Sequence, residues 1–139
     1  MVQTQIIGII LIHNEDLFIE RVIRNVLDFC DRIYVCDHHS TDQTGAVVRR
    51  LAAHHSKIDY RPVDHPSESH DLIAPYAGGP YWVMGVDGDE VYDPAALRRL
   101  RAEIQAGVYD QTFKLTGNVL NVKHLDVAHR KARGYLAPP

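Results

Sequence analysis

The chain has 139 residues, the length of one domain and enough to bury a sizeable core. Apolar residues make up 45% and charged residues 24%, which excludes general disorder, and a net charge of -3 gives no electrostatic reason to expect nucleic acid as a partner. The longest apolar run, residues 6–12, falls far short of the roughly 20 residues of a membrane span, and its flanks are not those of a secretory signal.

Ile6-Ile7-Gly8-Ile9-Ile10-Leu11-Ile12 is continuous and rich in β-branched residues, as in a strand buried on both faces of a parallel sheet. His13-Asn14-Glu15 closes it. Over residues 15–30, apolar side chains recur at Ile19, Val22, Ile23, Val26, Leu27 and Cys30, the stripe of one amphipathic helix. Arg32-Ile33-Tyr34-Val35-Cys36 reads as a second strand. Ser40 and Gln43 have the spacing of a capping box and predict a second helix over residues 41–55, with Val47, Val48, Leu51 and Ala52 inward. Residues 58–63 read as a third strand. Strands alternating with helices in this order predict an α/β fold with a mostly parallel sheet.

Residues 64–80 are rich in Pro, Ser and Gly and read as loop, with a short helix near residues 71–76. Residues 81–86 form the fourth predicted strand, which runs directly into Asp87-Gly88-Asp89-Glu90. Asp93 and Pro94 are an N-cap and a first helical residue; Leu97, Leu100 and Ile104 face inward, and Gly107 ends the helix. Two further strands are predicted at residues 112–115 and 119–122, joined at Gly117-Asn118, with no element after them. Residues 1–113 hold 10 basic and 17 acidic side chains; residues 114–139 hold five and one. Two organisational units are expected, an α/β domain over residues 1–110 and a basic segment over residues 111–139. A chain stopping at Ala137-Pro138-Pro139 reads as part of a longer protein. Cys30 and Cys36 are too few for a disulfide framework, so reduced, buried thiols and a cytoplasmic location are expected.

In open parallel sheets, ligands bind beyond the carboxyl ends of the strands. Three polar clusters fall there: His13-Asn14-Glu15, Asp37-His38-His39-Ser40 and Asp87-Gly88-Asp89-Glu90. Asp87 and Asp89, two residues apart at a strand end, can share one divalent cation, and Gly88 allows close ligand approach. Magnesium-like ions take one or two protein carboxylates and complete their shell with phosphates and water. Asp37 serves equally well as a turn residue bonding backbone amides or as an acceptor for a pyrimidine imide or a ribose hydroxyl. Asn14 and Glu15 are either helix-start residues or nucleotide contacts. His38-His39 and His54-His55 are expected to be exposed rather than zinc ligands, because adjacent side chains point apart. No glycine-rich phosphate loop or Walker motif occurs, so a diphosphate here depends on metal.

The motifs Ile9-Ile10-Leu11-Ile12-His13-Asn14-Glu15, Tyr34-Val35-Cys36-Asp37-His38-His39-Ser40-Thr41-Asp42-Gln43-Thr44 and Val86-Asp87-Gly88-Asp89-Glu90, in this order, resemble the family 2 nucleotide-sugar glycosyltransferases. The resemblance covers residues 5–105. It implies the GT-A fold, Rossmann-like, with a mostly parallel sheet flanked by helices. It further implies transfer with inversion from a nucleoside-diphosphate sugar donor to an acceptor hydroxyl on a glycan, lipid or protein, aided by Mn2+ or Mg2+. By the same resemblance Asp37 contacts the nucleobase, the backbone near His13 and Asn14 lines the base pocket, Asp87 contacts the ribose, and Asp87 and Asp89 hold the metal on the diphosphate. The chain departs from the family where His38 replaces a second acid, and residues 65–80 contain no Lys, Arg, Asn or Gln. Asp110 and Asp126 are the only carboxylates after Glu103, and neither lies in a recognisable catalytic-base motif. The expectation is thus a donor-binding portion over residues 1–110, with residues 111–139 opening an acceptor-side region or forming a mobile basic tail. Two other readings are a nucleotide- or partner-binding module without turnover and a haloacid-dehalogenase-like phosphotransferase built on Asp87.

Overall fold

The apolar run at the start of the chain forms β1 (Gln5–Ile12), the strand around which the rest is laid. The computed structural model describes residues 3–126, 128–129 and 131–137. β1 is followed by α1 (Ile19–Val26), β2 (Arg32–Asp37), α2 (Thr44–His54), β3 (Ile58–Pro62), α3 (Glu68–Ile73) with a 3-10 turn (Ala74–Tyr76), β4 (Tyr81–Asp87) and α4 (Pro94–Gln105). The four strands make one parallel sheet in the order β3-β2-β1-β4. β1 therefore carries a neighbour on each side, and the direction of winding reverses there, which is where ligands gather in open α/β sheets.

Strand alternation sends the two faces of β1 and β2 to different layers. Ile6, Ile10, Ile33 and Val35 are buried together with Ile19, Val22, Ile23 and Val26 of α1. Ile7, Tyr34, Cys36 and Val63 form a second buried cluster, closed by Leu72 and Tyr76 from α3 and its 3-10 turn. Each fully buried isoleucine contributes about 1.5–3 kcal/mol of transfer free energy. α4 is tied down by Arg101, which donates to the Phe29 carbonyl and pairs with Asp31 at 2.7 Å. Asp93 caps α4 by accepting the Ala95 N–H at 2.9 Å, as the sequence predicts.

Three expectations are corrected. The Ser40–Gln43 capping box does not form: Ser40 Oγ accepts the Asn14 N–H (3.0 Å), and α2 begins at Thr44, whose N–H is taken by Asp42 Oδ1 (2.9 Å). α1 begins at Ile19 rather than residue 15, because the Glu15 carbonyl closes a turn by accepting both the Phe18 and Ile19 N–H groups. It ends at Val26, so Cys30 lies beyond it, although buried as expected. Residues 112–115 form no strand; the hairpin instead pairs β5 (Val119–Asp126) with β6 (Lys131–Ala137), where no element was expected. The chain reverses at Asp126, whose side chain accepts the His129 N–H (3.1 Å), rather than at Gly117-Asn118.

The chain divides into units over residues 1–108 and 109–139. Within the second, a bulge between Val122 and His124 sets Leu120, Val122, Leu125 and Leu136 on one face of the hairpin. These side chains are exposed. Among the described residues no helix is long and apolar enough to cross a membrane.

Gly8 lies against Cys30, in the segment between α1 and β2. A Cβ at Gly8 would sit 2.9 Å from Cys30 Sγ and 3.5 Å from Ile33 Cγ1. Gly8→Ala is expected to destabilise the fold by about 1–3 kcal/mol. Combined with Cys30→Ala, which vacates the contested space, the loss should be smaller than the sum of the two single losses. Urea denaturation of the single and double variants measures the coupling.

Candidate functional site

The register fixes where the polar clusters stand. Ile12 pairs with Asp37 and Leu11 with Asp87, so the ends of β2 and β4 flank the end of β1. The loops after β1 and β2 are then stitched together. Asn14 adopts a φ of 57°, which asparagine tolerates better than most residues. Its Oδ1 accepts the Thr41 N–H (2.8 Å), while its own N–H goes to Ser40 Oγ. Thr44 Oγ1 accepts the Glu15 N–H (2.8 Å), and Asp42 Oδ2 accepts that of Asp16 (3.3 Å). The His13 ring nitrogen Nδ1 donates to the His38 carbonyl (2.6 Å), which leaves Nε2 to accept from the Asn14 amide (3.3 Å).

Asp37, the last residue of β2, is 5% exposed. Its Oδ1 accepts the Ser40 N–H (3.0 Å), the turn bond that a structural aspartate makes, and its Oδ2 accepts the Tyr60 hydroxyl (2.6 Å). The Arg49 guanidinium lies over the Tyr60 ring, 5.1 Å from its centroid. A Cβ on Gly45 would come within 2.8 Å of the Tyr60 hydroxyl and 3.2 Å of Asp37 Oδ2, so a side chain there would press on this pair. A cavity of about 340 Å³ opens here, lined by Asp37, Ser40, Arg49 and Tyr60 among others.

On the other side of β1 the turn after β4 is closed by a bond from the Glu90 N–H to the Asp87 carbonyl (3.1 Å). Asp87 and Asp89 are exposed and Gly88 between them is buried. A Cβ on Gly88 would meet Glu15 Cγ at 2.8 Å and Ile12 Cγ2 at 3.1 Å, so the loop after β1 lies directly against the acidic turn. Burial raises the Glu15 pKa, and the carboxylates of Asp89, Asp42 and Asp87 raise it further, against a smaller opposite effect of His13. Burial likewise raises that of Asp87, helped by Glu90 and Asp89. Neither residues 13–16 nor residues 87–90 contain a Lys or Arg to offset this repulsion.

The donor set suits a divalent cation. Asp87 and Asp89 are exposed carboxylates on either side of a buried glycine, whose missing side chain makes room for Glu15 and Ile12. Among the described residues no three His, Cys, Asp or Glu side chains form a ready-made cage. Two carboxylates leaving several positions for phosphate and water are what a Mg2+-type site needs.

Asn25, Tyr60 and Tyr92 were not singled out from the sequence. Asn25 on α1 donates to the Tyr92 carbonyl (2.9 Å) and accepts the Tyr92 N–H (2.8 Å). The Tyr92 hydroxyl holds Glu90 Oε2 (2.8 Å), which also faces the Asp87 N–H (3.4 Å). The partners are 67 residues apart in the first case, and no local pattern announces them. An asparagine on the helix flank is the sole signal.

A parallel α/β sheet with ligand loops at its carboxyl edge and an acidic turn beside the central strand defines a Rossmann-like fold of the GT-A kind. The chain belongs to glycosyl transferase family 2, whose model matches residues 9–131. No curated protein matches the chain. Among solved structures it is similar to the mannosyltransferase PcManGT from Pyrobaculum calidifontis, determined in complex with GDP-Man and Mn2+. The identity is 21% and the TM-score 0.56 over 89% of this chain, which spans 37% of that one.

The raised pKa values have a stability consequence. A carboxyl that binds its proton more tightly folded than unfolded stabilises the fold below its unfolded pKa, and that contribution is lost as pH rises through the folded value. Metal-free stability from this cluster should therefore increase as pH falls from neutral toward the ordinary glutamate range. Asp89→Asn removes one repelling charge. It is expected to raise the melting temperature of the metal-free protein at neutral pH and to flatten this pH dependence, measured by calorimetry.

Proposed function

We propose that this chain is the donor-binding part of a metal-dependent glycosyltransferase. The enzyme transfers a sugar, with inversion, from a nucleoside-diphosphate sugar to an acceptor hydroxyl on a glycan, lipid or protein. The observation that carries the reading is the placement of Asp37 and of the Asp87-Gly88-Asp89 turn on either side of the end of β1. Family membership and the likeness to a protein solved with GDP-Man and Mn2+ support it.

In this reading the nucleobase enters the cavity beside Asp37. The carboxylate, oriented by Ser40 and Tyr60, accepts an N–H from the base edge, and the loop backbone at His13 and Asn14 forms the wall. Asp87 faces the ribose, and Asp87 with Asp89 would hold Mn2+ or Mg2+ against the diphosphate. A divalent cation bound there neutralises charge building on the departing phosphate. Glu90, held by Tyr92, keeps the turn shaped so that both aspartates face outward. Nucleotide recognition and leaving-group stabilisation are thereby separated onto the two sides of β1. Residues 111–139 belong to the acceptor side.

The proton of the acceptor hydroxyl needs a base. Asp126 is committed to His129, whose Nδ1 lies 2.8 Å from Oδ2, and these hydrogen bonds lower its pKa. That commitment favours a second reading for these 139 residues, binding of the donor without turnover. The phosphotransferase reading gives way to the family assignment. Its nucleophile usually lies near the chain start, whereas Asp87 ends the fourth strand.

GDP or UDP with Mn2+ is expected to raise the melting temperature. At a hundredfold excess over Kd, linkage gives about 2.7 kcal/mol. Asp89→Ala should remove the shift, and Tyr60→Phe, which releases Asp37, should weaken nucleotide affinity while leaving the metal requirement intact. An unchanged melting curve with every nucleotide in the presence of metal would overturn the proposal.

A further inference from the structure

Arg49 stands in the second turn of α2 and lines the cavity beside Asp37. It joins none of the ion pairs among the described residues. Its guanidinium lies over the Tyr60 ring, 5.1 Å from the centroid, and the Tyr60 hydroxyl donates to Asp37 Oδ2 (2.6 Å). These three side chains converge on one glycine. A Cβ on Gly45 would stand 2.8 Å from the Tyr60 hydroxyl, 3.2 Å from Asp37 Oδ2 and 3.3 Å from Arg49 Nη2. A cation and an anion are thus held side by side on one wall, linked through Tyr60 rather than paired directly.

Both groups keep hydrogen-bonding capacity for a ligand. A carboxylate accepts about four hydrogen bonds. Asp37 takes one at each oxygen, from the Ser40 N–H and the Tyr60 hydroxyl. A guanidinium is a planar fork of N–H donors. The other acids of the lining are engaged elsewhere: Glu68 Oε1 accepts the Asp64 and His65 N–H groups (2.8 and 2.6 Å), and Asp64 faces His39 at 3.7 Å. The wall therefore offers a donor fork beside a pair of acceptor oxygens.

Nucleobases differ in how their edges meet such a wall. Guanine presents the acceptors N7 and O6, followed along the same side by the donors N1–H and N2–H. The first pair suits the guanidinium and the second the carboxylate. Uracil sets a single N–H between two carbonyls, so once that N–H is bonded a carbonyl oxygen faces a carboxylate oxygen. In the same seating, adenine and cytosine turn an amino group toward the guanidinium and a ring acceptor toward the carboxylate. Resting on the donor-site reading, we propose that Arg49, together with Asp37, sets the nucleobase preference of that site and selects guanine over uracil, adenine and cytosine.

Isothermal titration of the full chain with GDP, UDP, ADP and CDP in the presence of Mn2+ tests this. GDP should bind at least about tenfold more tightly than each of the others, the discrimination that one two-point base contact supplies. IDP, which lacks the N2 amino group, should fall between GDP and UDP. Arg49 is exposed, so its replacement leaves the packed core intact. Arg49→Met keeps an alkyl stem against Tyr60 without the donor fork, and it should weaken GDP binding while erasing most of the preference over UDP. Arg49→Gln, as a second variant, should act in the same direction. UDP binding as tightly as GDP, or a loss of GDP and UDP affinity by the same factor in both variants, would overturn the role of Arg49 and leave the donor reading standing. Binding of no nucleotide would overturn both.

Discussion

Asp87 and Asp89 lie close enough to Glu15 to push its pKa further above the ordinary carboxylate range than burial alone does, with no basic side chain in either loop to relieve them. The architecture around the carboxyl edge holds this unfavourable arrangement in place. The Glu15 N–H is pinned by Thr44, and its side chain lies against Gly88. Glu90 is drawn aside by Tyr92, and Asp37 spends both oxygens on Ser40 and Tyr60. Each bond is worth on the order of 1 kcal/mol net. Together they keep negative charge concentrated where an unconstrained chain would disperse it.

That arrangement follows from the sheet order. With β1 between β2 and β4, the strand that begins the fold also ends between the two acidic segments. α1 and α2 pack on one face of the sheet, α3 and its 3-10 turn on the other. The reversal at β1 leaves room outside the strand ends, which the loops fill. One side of β1 then holds the buried, hydrogen-bonded aspartate beside a cavity. The other holds the exposed pair beside a glycine. Burial separates the two sides: Asp37 is enclosed and hydrogen-bonded, whereas Asp87 and Asp89 are exposed.

Most of the parallel sheet is legible from residue type alone. The run from Ile6 to Ile12, the strand ending at Asp37 and the strand entering Asp87 are continuous apolar segments that end in acids, and their order implies the edge where those acids meet. Asp93 with Pro94 is a local signal and behaves as one. The misreadings are places where a distant partner outcompetes a local pattern. Ser40 has the spacing to cap α2, but the Asn14 amide, 26 residues away, takes its hydroxyl. Gly117-Asn118 is a plausible hairpin turn, yet Asp126 and His129 make the reversal. Tyr60, Gly45, Asn25 and Tyr92 shape the site through contacts that exist only once the sheet is assembled. A single sequence carries no trace of that.

Asn25 gives both faces of its amide to the backbone of Tyr92, so a solitary side chain on α1 acts as a two-point rivet on the loop behind the acidic turn. A hinge at that loop would first have to break two partly buried bonds to the helix. The turn therefore moves as one body with α1 and, through it, with the central strand.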